Sequence, residues 1–186
     1  MDGLTDYSGE FNPKVKYEDF SEEALESLLT EYARLEMALG GWWYDVVKER
    51  YGEQEVIECE KEVWEKGVPY TVLRITKALN IQGNDVAACF KTMQMFPGGC
   101  QQLFETTWEL KNPNHGFCTT DRCPPLEFYE RHGEVVKMQN MCRMDIDNAK
   151  IIAKFFSPYV KVEPLKLPPR KNEDEVFCIW EFKIEE

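Results

Sequence analysis

Histidine is scarce in this chain, with only His115 and His132 present. That leaves a Ser-His-Asp triad few members to draw on. The chain contains no H-E-x-x-H, G-x-S-x-G or C-x-x-C motif and no Gly-rich phosphate loop. No apolar run approaches the roughly 20 residues a membrane-spanning helix needs. The N-terminus, Met1 to Asp6, is acidic and lacks the apolar core of a secretory signal. Positive charge is also in short supply: 22 Lys and Arg stand against 34 Asp and Glu, for a net charge of −12. Without a basic stripe to offset it, such a surface repels phosphate backbones and anionic bilayers. The expectation is an acidic, cytoplasmic protein whose partner is a small-molecule ligand, neither nucleic acid nor membrane.

The chain is 186 residues long, 43% apolar and 30% charged, which suffices for one sizeable core. Five Trp, eight Tyr and eleven Phe supply large rings for core or pocket. The seven cysteines are odd in number and spread along the chain. In a reducing compartment they read as thiols or metal ligands rather than disulfides.

Residues 1 to about 16 read as an N-terminal arm, and 17–186 as a single α+β domain. A helix is expected from Asp19 or Ser21, carrying Leu25, Leu28, Leu29, Tyr32, Leu35 and Leu39 as one apolar stripe. Gly40-Gly41 should end or kink it. Further helices are expected over Trp42 to Tyr51, Gln54 to Lys66, Val68 to Leu79, and from Asn84-Asp85 to about Phe96. The period then becomes two. Strands are expected over Phe104 to Leu110 and His115 to Thr120, then a short helix from Pro124-Pro125 and another from Asp145 to Phe156. Strands begun by Val160 and Val176 follow. They should pair antiparallel, since only a polar loop joins them, and Pro164 marks the first as an edge or a bulge. The fold class is therefore α+β: a helical N-terminal half packed on a small, mainly antiparallel sheet of about four strands.

Chemistry centres on the second half. Cys123 lies beside Arg122 at the start of the Pro124-Pro125 helix, where the helix dipole favours a thiolate. Cys142 lies beside Arg143 and before Asp145. Cys123, Cys142 and Arg122 are the candidate catalytic residues. His115, Cys118, Cys123, Cys142 and Cys178 form a candidate zinc or iron set through a His-x-x-Cys pair and a looser Cys-x4-Cys. Trp43, Trp108, Trp180 and Arg143 are candidate ligand-binding residues, with guanidinium suited to a carboxylate. Core packing is the competing reading for every cysteine and for Trp42-Trp43-Tyr44. Glu36 and Glu60 fall near apolar stretches. A solvated face is the preferred reading, and a buried general base the sharper one.

The second half resembles the prokaryotic L-2-amino-thiazoline-4-carboxylic acid hydrolase-like family, and more closely a neighbouring branch of uncharacterised proteins. The resemblance rests on Arg122-Cys123-Pro124-Pro125, on Met141-Cys142 followed by Asp145, and on Phe177-Cys178-Ile179-Trp180-Glu181-Phe182. The first half agrees more loosely through Tyr32-Ala33-Arg34, Gly41-Trp42-Trp43-Tyr44 and Glu62-Val63-Trp64. The loop Pro168 to Glu175 departs from the hydrolase-like members, and the last strand points to the uncharacterised branch. The resemblance implies a small-molecule hydrolase or binding protein acting on a carboxylate-bearing ligand, its pocket between the aromatic helices and the cysteine-bearing sheet. The alternatives are a non-catalytic cysteine-rich metal-binding or redox accessory protein, and a ligand sensor.

Overall fold

The computed structural model describes residues 3–185; Met1 and Asp2 of the expected arm, and Glu186, lie outside the described residues. Five helices and a four-stranded antiparallel sheet make an α+β fold. Helix α1 (Glu22–Tyr51) starts at Ser21, whose side chain accepts from the Ala24 amide at 3.2 Å. It does not stop at Gly40-Gly41. A Cβ at either glycine would meet nothing, and two glycines cost a helix only about 1 kcal/mol each. Good helix formers on both sides outweigh that. Gly52, at φ +94°, ends α1. Helix α2 (Glu53–Ala78) likewise merges two expected helices and runs through Pro69.

Asp85 caps α3 (Val86–Met93) by accepting from Ala88 at 2.8 Å. Strands β1 (Glu105–Asn112) and β2 (His115–Arg122) form a hairpin. Helix α4 (Pro124–His132) opens on proline and closes at Gly133, φ +69°. Helix α5 (Val135–Phe156) starts ten residues before the expected Asp145. Strand β3 (Val160–Lys166) and β4 (Cys178–Ile184) complete the sheet in the order β1-β2-β4-β3. As expected, β3 and β4 pair antiparallel, and Pro164 sits on an edge strand beside a register shift. No helix among the described residues is long and apolar enough to cross a membrane.

The inward face of the sheet is graded. One cross-strand row is Leu110, Gly116, Phe182 and Val162, and the next is Trp108, Cys118, Trp180 and Pro164. Phe90 of α3 packs edge-on to Trp108 and Phe182, at 5.0 and 5.1 Å between ring centroids. Gly116 makes this possible, because a Cβ there would come within 2.7 Å of the Phe90 ring. The third row is Thr106, Thr120 and Cys178, all small. The apolar interior accordingly forms two clusters. One surrounds Phe90, Trp180 and Phe182, with Val68 and Val72 of α2 and Ala149 and Ile152 of α5. The other joins Leu126, Tyr129, Met138, Cys142 and Phe177.

Candidate functional site

Polar groups occupy the break between the two clusters. On α5, Met138, Cys142, Ala149, Ile152 and Phe156 are buried and recur at helical spacing. Asp145 is in phase with them, three residues from Cys142 and four from Ala149, so it belongs to the same inward face. Asp145 is nevertheless an exposed residue, although desolvation by the protein around its carboxyl pushes it up to about 6. Its charge is felt by the neighbouring Cys123, Cys142 and Cys178 thiols and by Glu60. The third row of the sheet is small on this side, with Thr120 and Cys178 in place of the bulky rings of the neighbouring rows.

Glu60 comes from α2. It lies on the helix's buried face with Val56, Val68 and Val72, and is itself 6% exposed. Its Oε2 is buried without a hydrogen-bond partner among the described residues. Burial first, then the charge of Asp145, push the Glu60 carboxyl up to about 7, and Lys137 pulls the other way. Lys137 is held between two rings, its Nζ 4.8 Å from the centroid of Tyr44 and 5.2 Å from that of Tyr129. It also pairs with Asp45 at 3.2 Å. Tyr44 donates to Glu53 at 2.6 Å. The Tyr129 hydroxyl is pushed up to about 12, chiefly by burial.

The cysteines depart from the thiolate expectation. Burial pushes the Cys123 thiol well above its ordinary range; the Leu126 amide at the helix start opposes it, and Cys178, Asp145 and Glu127 add to the rise. Arg122 is turned toward Glu127, 3.6 Å away. Burial likewise raises Cys142, followed by Asp145, Cys123 and Cys178, and it raises Cys178 despite the Thr120 hydrogen bond. Asp145 thus acts on all three thiols, which are held in the neutral form. By contrast, Cys59 lies among Glu55, Glu58 and Glu62. Buried Cys89 is the neighbour of Cys118, whose thiol is raised to about 12.

The five-residue metal set does not assemble, and among the described residues no group of His, Cys, Asp or Glu is disposed to hold a metal ion. The reason is strand geometry. His115 opens β2 and Cys123 follows its end, so eight extended residues, about 26 Å, separate them. His115 also faces away from Cys118 across the strand, and its Nε2 meets Glu181 at 2.7 Å.

The candidate ligand-binding residues scatter as well. Trp180 is buried in the larger cluster, and Trp108 packs against that cluster. Trp43 is exposed on α1. Arg143 lines an open groove of about 530 Å³ on the far face of α5, with Lys61, Trp64, Lys150 and Lys154. Every ionisable residue lining that groove is exposed, whereas beside the exposed Asp145 stands the buried, unpartnered carboxyl of Glu60. The Glu60–Asp145 pair holds the perturbed groups and is the better candidate.

Sequence reasoning missed the pairing of Glu60 with Asp145. Starting α5 at Asp145 placed that residue at a helix end. From Val135, the same residue is a charge in phase with an apolar face, which is the signal that finds it. No family model matches the chain, and neither a curated protein nor a solved structure does.

Proposed function

We propose that the protein is a small-molecule enzyme whose reaction is a hydrolysis run by the Glu60–Asp145 carboxyl pair. Hydrolysis of a C–N or C–S bond needs one group to take a proton from water and another to give one to the leaving atom. Two carboxyls raised to about 7 and about 6 divide those roles near neutral pH: Glu60 holds its proton longer and acts as the acid, and Asp145 ionises first and acts as the base. The observation that carries this reading is the buried, unpartnered Oε2 of Glu60 in a carboxyl that feels the charge of the exposed Asp145. A structural role would have left that oxygen bonded. Lys137 supplies the cation beside the pair, suited to a carboxylate on the ligand. Cys123, Cys142 and Cys178 lie near Asp145 as neutral thiols; in this reading none is the nucleophile.

The resemblance to the thiazoline-carboxylate hydrolases supplies the first substrate to try. Ring opening of L-2-amino-thiazoline-4-carboxylate by the purified protein is followed by loss of the ring's absorbance. The expected result is turnover that falls by about 10²–10⁴ in Asp145→Asn and in Glu60→Gln, with Cys123→Ser close to wild type. Full activity in Asp145→Asn, or abolition by Cys123→Ser with the fold intact, returns the thiolate reading and removes this one.

A further inference from the structure

Helix α1 carries a second apolar face that is partly buried at Leu25 and Leu28 and exposed from Tyr32 to Val46, where the Tyr17 hydroxyl touches only that of Tyr32. Leu25, Leu28, Tyr32, Leu35, Leu39, Trp42 and Val46 follow one another at steps of three and four residues throughout, the a/d pattern of a coiled-coil seam. At 100° per residue this stripe lies opposite Ala33 and Tyr44, the two buried residues with which α1 meets the body of the protein. Tyr32, Leu35, Leu39, Trp42 and Val46 are 49%, 56%, 65%, 64% and 47% exposed. Single exposed apolar residues need no explanation, but a continuous stripe in strict register does.

We infer that this stripe is the interface of a homodimer in which α1 packs antiparallel against α1 of a second copy. Charge selects both the occupant and the direction. The residues flanking the seam are Ala24, Glu31, Ala38 and Asp45 on one side and Leu29, Glu36, Trp43 and Arg50 on the other. A parallel pair sets Glu31 of each copy against Glu36 of the other, twice, with like charges opposed, which offsets its two Asp45–Arg50 attractions. It also brings the acidic first turns, with Glu22 and Glu23, together, and the basic last turns, with Lys48 and Arg50, together. The antiparallel pair removes every one of these clashes. Glu31 then meets Ala38, Glu36 meets Leu29, and each acidic helix start lies beside a basic helix end, with the helix dipoles opposed. Layers of Leu25 with Trp42, Leu28 with Leu39, and Tyr32 with Leu35 follow from alternating a and d positions. The surface is self-complementary, as a two-fold interface requires. It lies on the side of α1 away from α2, which carries Glu60, and so leaves the Glu60–Asp145 pair free.

The test is molar mass in solution across a concentration series, by light scattering and sedimentation, on the full chain. Wild type is expected to be a dimer at about 10 µM. Leu35→Glu/Leu39→Lys, which changes only exposed positions, should be monomeric with unchanged helix content and melting behaviour at high dilution, its self-association weakened by at least about 100-fold. Direction is read by single cysteines in a Cys59→Ser/Cys100→Ser background. Leu35→Cys, near the two-fold axis, should cross-link to itself on oxidation, whereas Trp42→Cys should not. Wild type that stays monomeric at about 100 µM, or a dimer that survives the double substitution, overturns the inference. Self-cross-linking by both cysteines overturns the antiparallel direction.

Discussion

Helices α1 and α5 are both long and both carry apolar residues at helical spacing, yet they invert each other's chemistry. On α1 the regular stripe points to water, and only Ala33 and Tyr44 are buried. On α5 the stripe is buried, with a thiol, Cys142, near its centre, and is interrupted by an exposed carboxyl in phase with it, Asp145. Periodicity says that a face has a partner to meet. It does not say whether that partner is the chain's own core, a ligand or a second molecule. The exceptions carry that information: a charge in phase with buried apolar residues marks a site, and an uncharged stripe with no cover marks a surface.

The comparison can be broken most sharply by truncation. Phe182 is fully buried against Phe90, so Phe182→Ala should cost about 3–5 kcal/mol. Leu39→Ala on α1, measured in dilute solution where dimers dissociate, should cost about 0.5 kcal/mol or less. Urea unfolding of both variants decides the matter. A loss above about 2 kcal/mol at Leu39 would mean that α1 is covered within the monomer.

The charged exception on α2 predicts a pH dependence of stability. Glu60 ionises at 4.5 in the unfolded chain and at about 7 when folded. Between those values the folded state holds a proton the unfolded state has lost, so stability falls as pH rises. The contribution is fully present below about 4.5 and gone above about 7, a change of roughly 3 kcal/mol. The raised Asp145 carboxyl acts in the same direction over a lower window, from its ordinary 3.8 to about 6. Glu60→Gln should flatten the upper part of the curve. A wild-type protein whose stability rises between pH 5 and pH 7 would contradict the buried, unpartnered carboxyl; chemical denaturation at half-unit pH steps reads it directly.

The thiols sharpen the same contrast. Because burial and nearby acids keep Cys123 and Cys142 neutral, each should react with iodoacetamide at least about tenfold slower than an unperturbed thiol. A mass-resolved time course on native protein measures this. Cys123 reacting fastest of the seven would restore the nucleophile that its position beside Arg122 suggested.

Much of the architecture was legible in the sequence because it rests on local signals. Alternation in Thr106 to Leu110, the Pro124-Pro125 helix start, the Asp85 cap and Pro164 on an edge strand all act within a few residues. The antiparallel β3–β4 pair followed from loop length alone. The candidate site was less legible because it is assembled across the fold. The sequence flags Glu60 as a charge near an apolar stretch, with a solvated face preferred over a buried base, but not its coupling to Asp145, 85 residues further along. His115 and Cys118 looked paired in sequence but lie on opposite faces of one strand. Cys123 gained no cation, because Arg122 found Glu127 and the next charge in space was acidic.

The smallest expected effect concerns the glycines that local rules read as a break in α1. Gly40 and Gly41 are helical, exposed and free of neighbours where a Cβ would go. In a continuous helix such positions favour alanine, which restricts the unfolded chain and suits the folded one. Gly40→Ala should therefore stabilise the protein by about 0.5–1 kcal/mol, and Gly41→Ala by a similar amount. If α1 instead broke or kinked there, the glycines would be needed for their conformational freedom, and alanine would destabilise by more than that. The sign of the change thus tests whether α1 is one rod. Its consequence reaches the proposed dimer, because the seam crosses the glycines: Leu39 lies before them and Trp42 after. A rod stiffened by alanine should associate at least as tightly as wild type, so paired measurements of stability and molar mass on Gly40→Ala should move together. Stabilisation with loss of self-association would show that the seam depends on a bend at this point, and the straight antiparallel packing would then need to be redrawn.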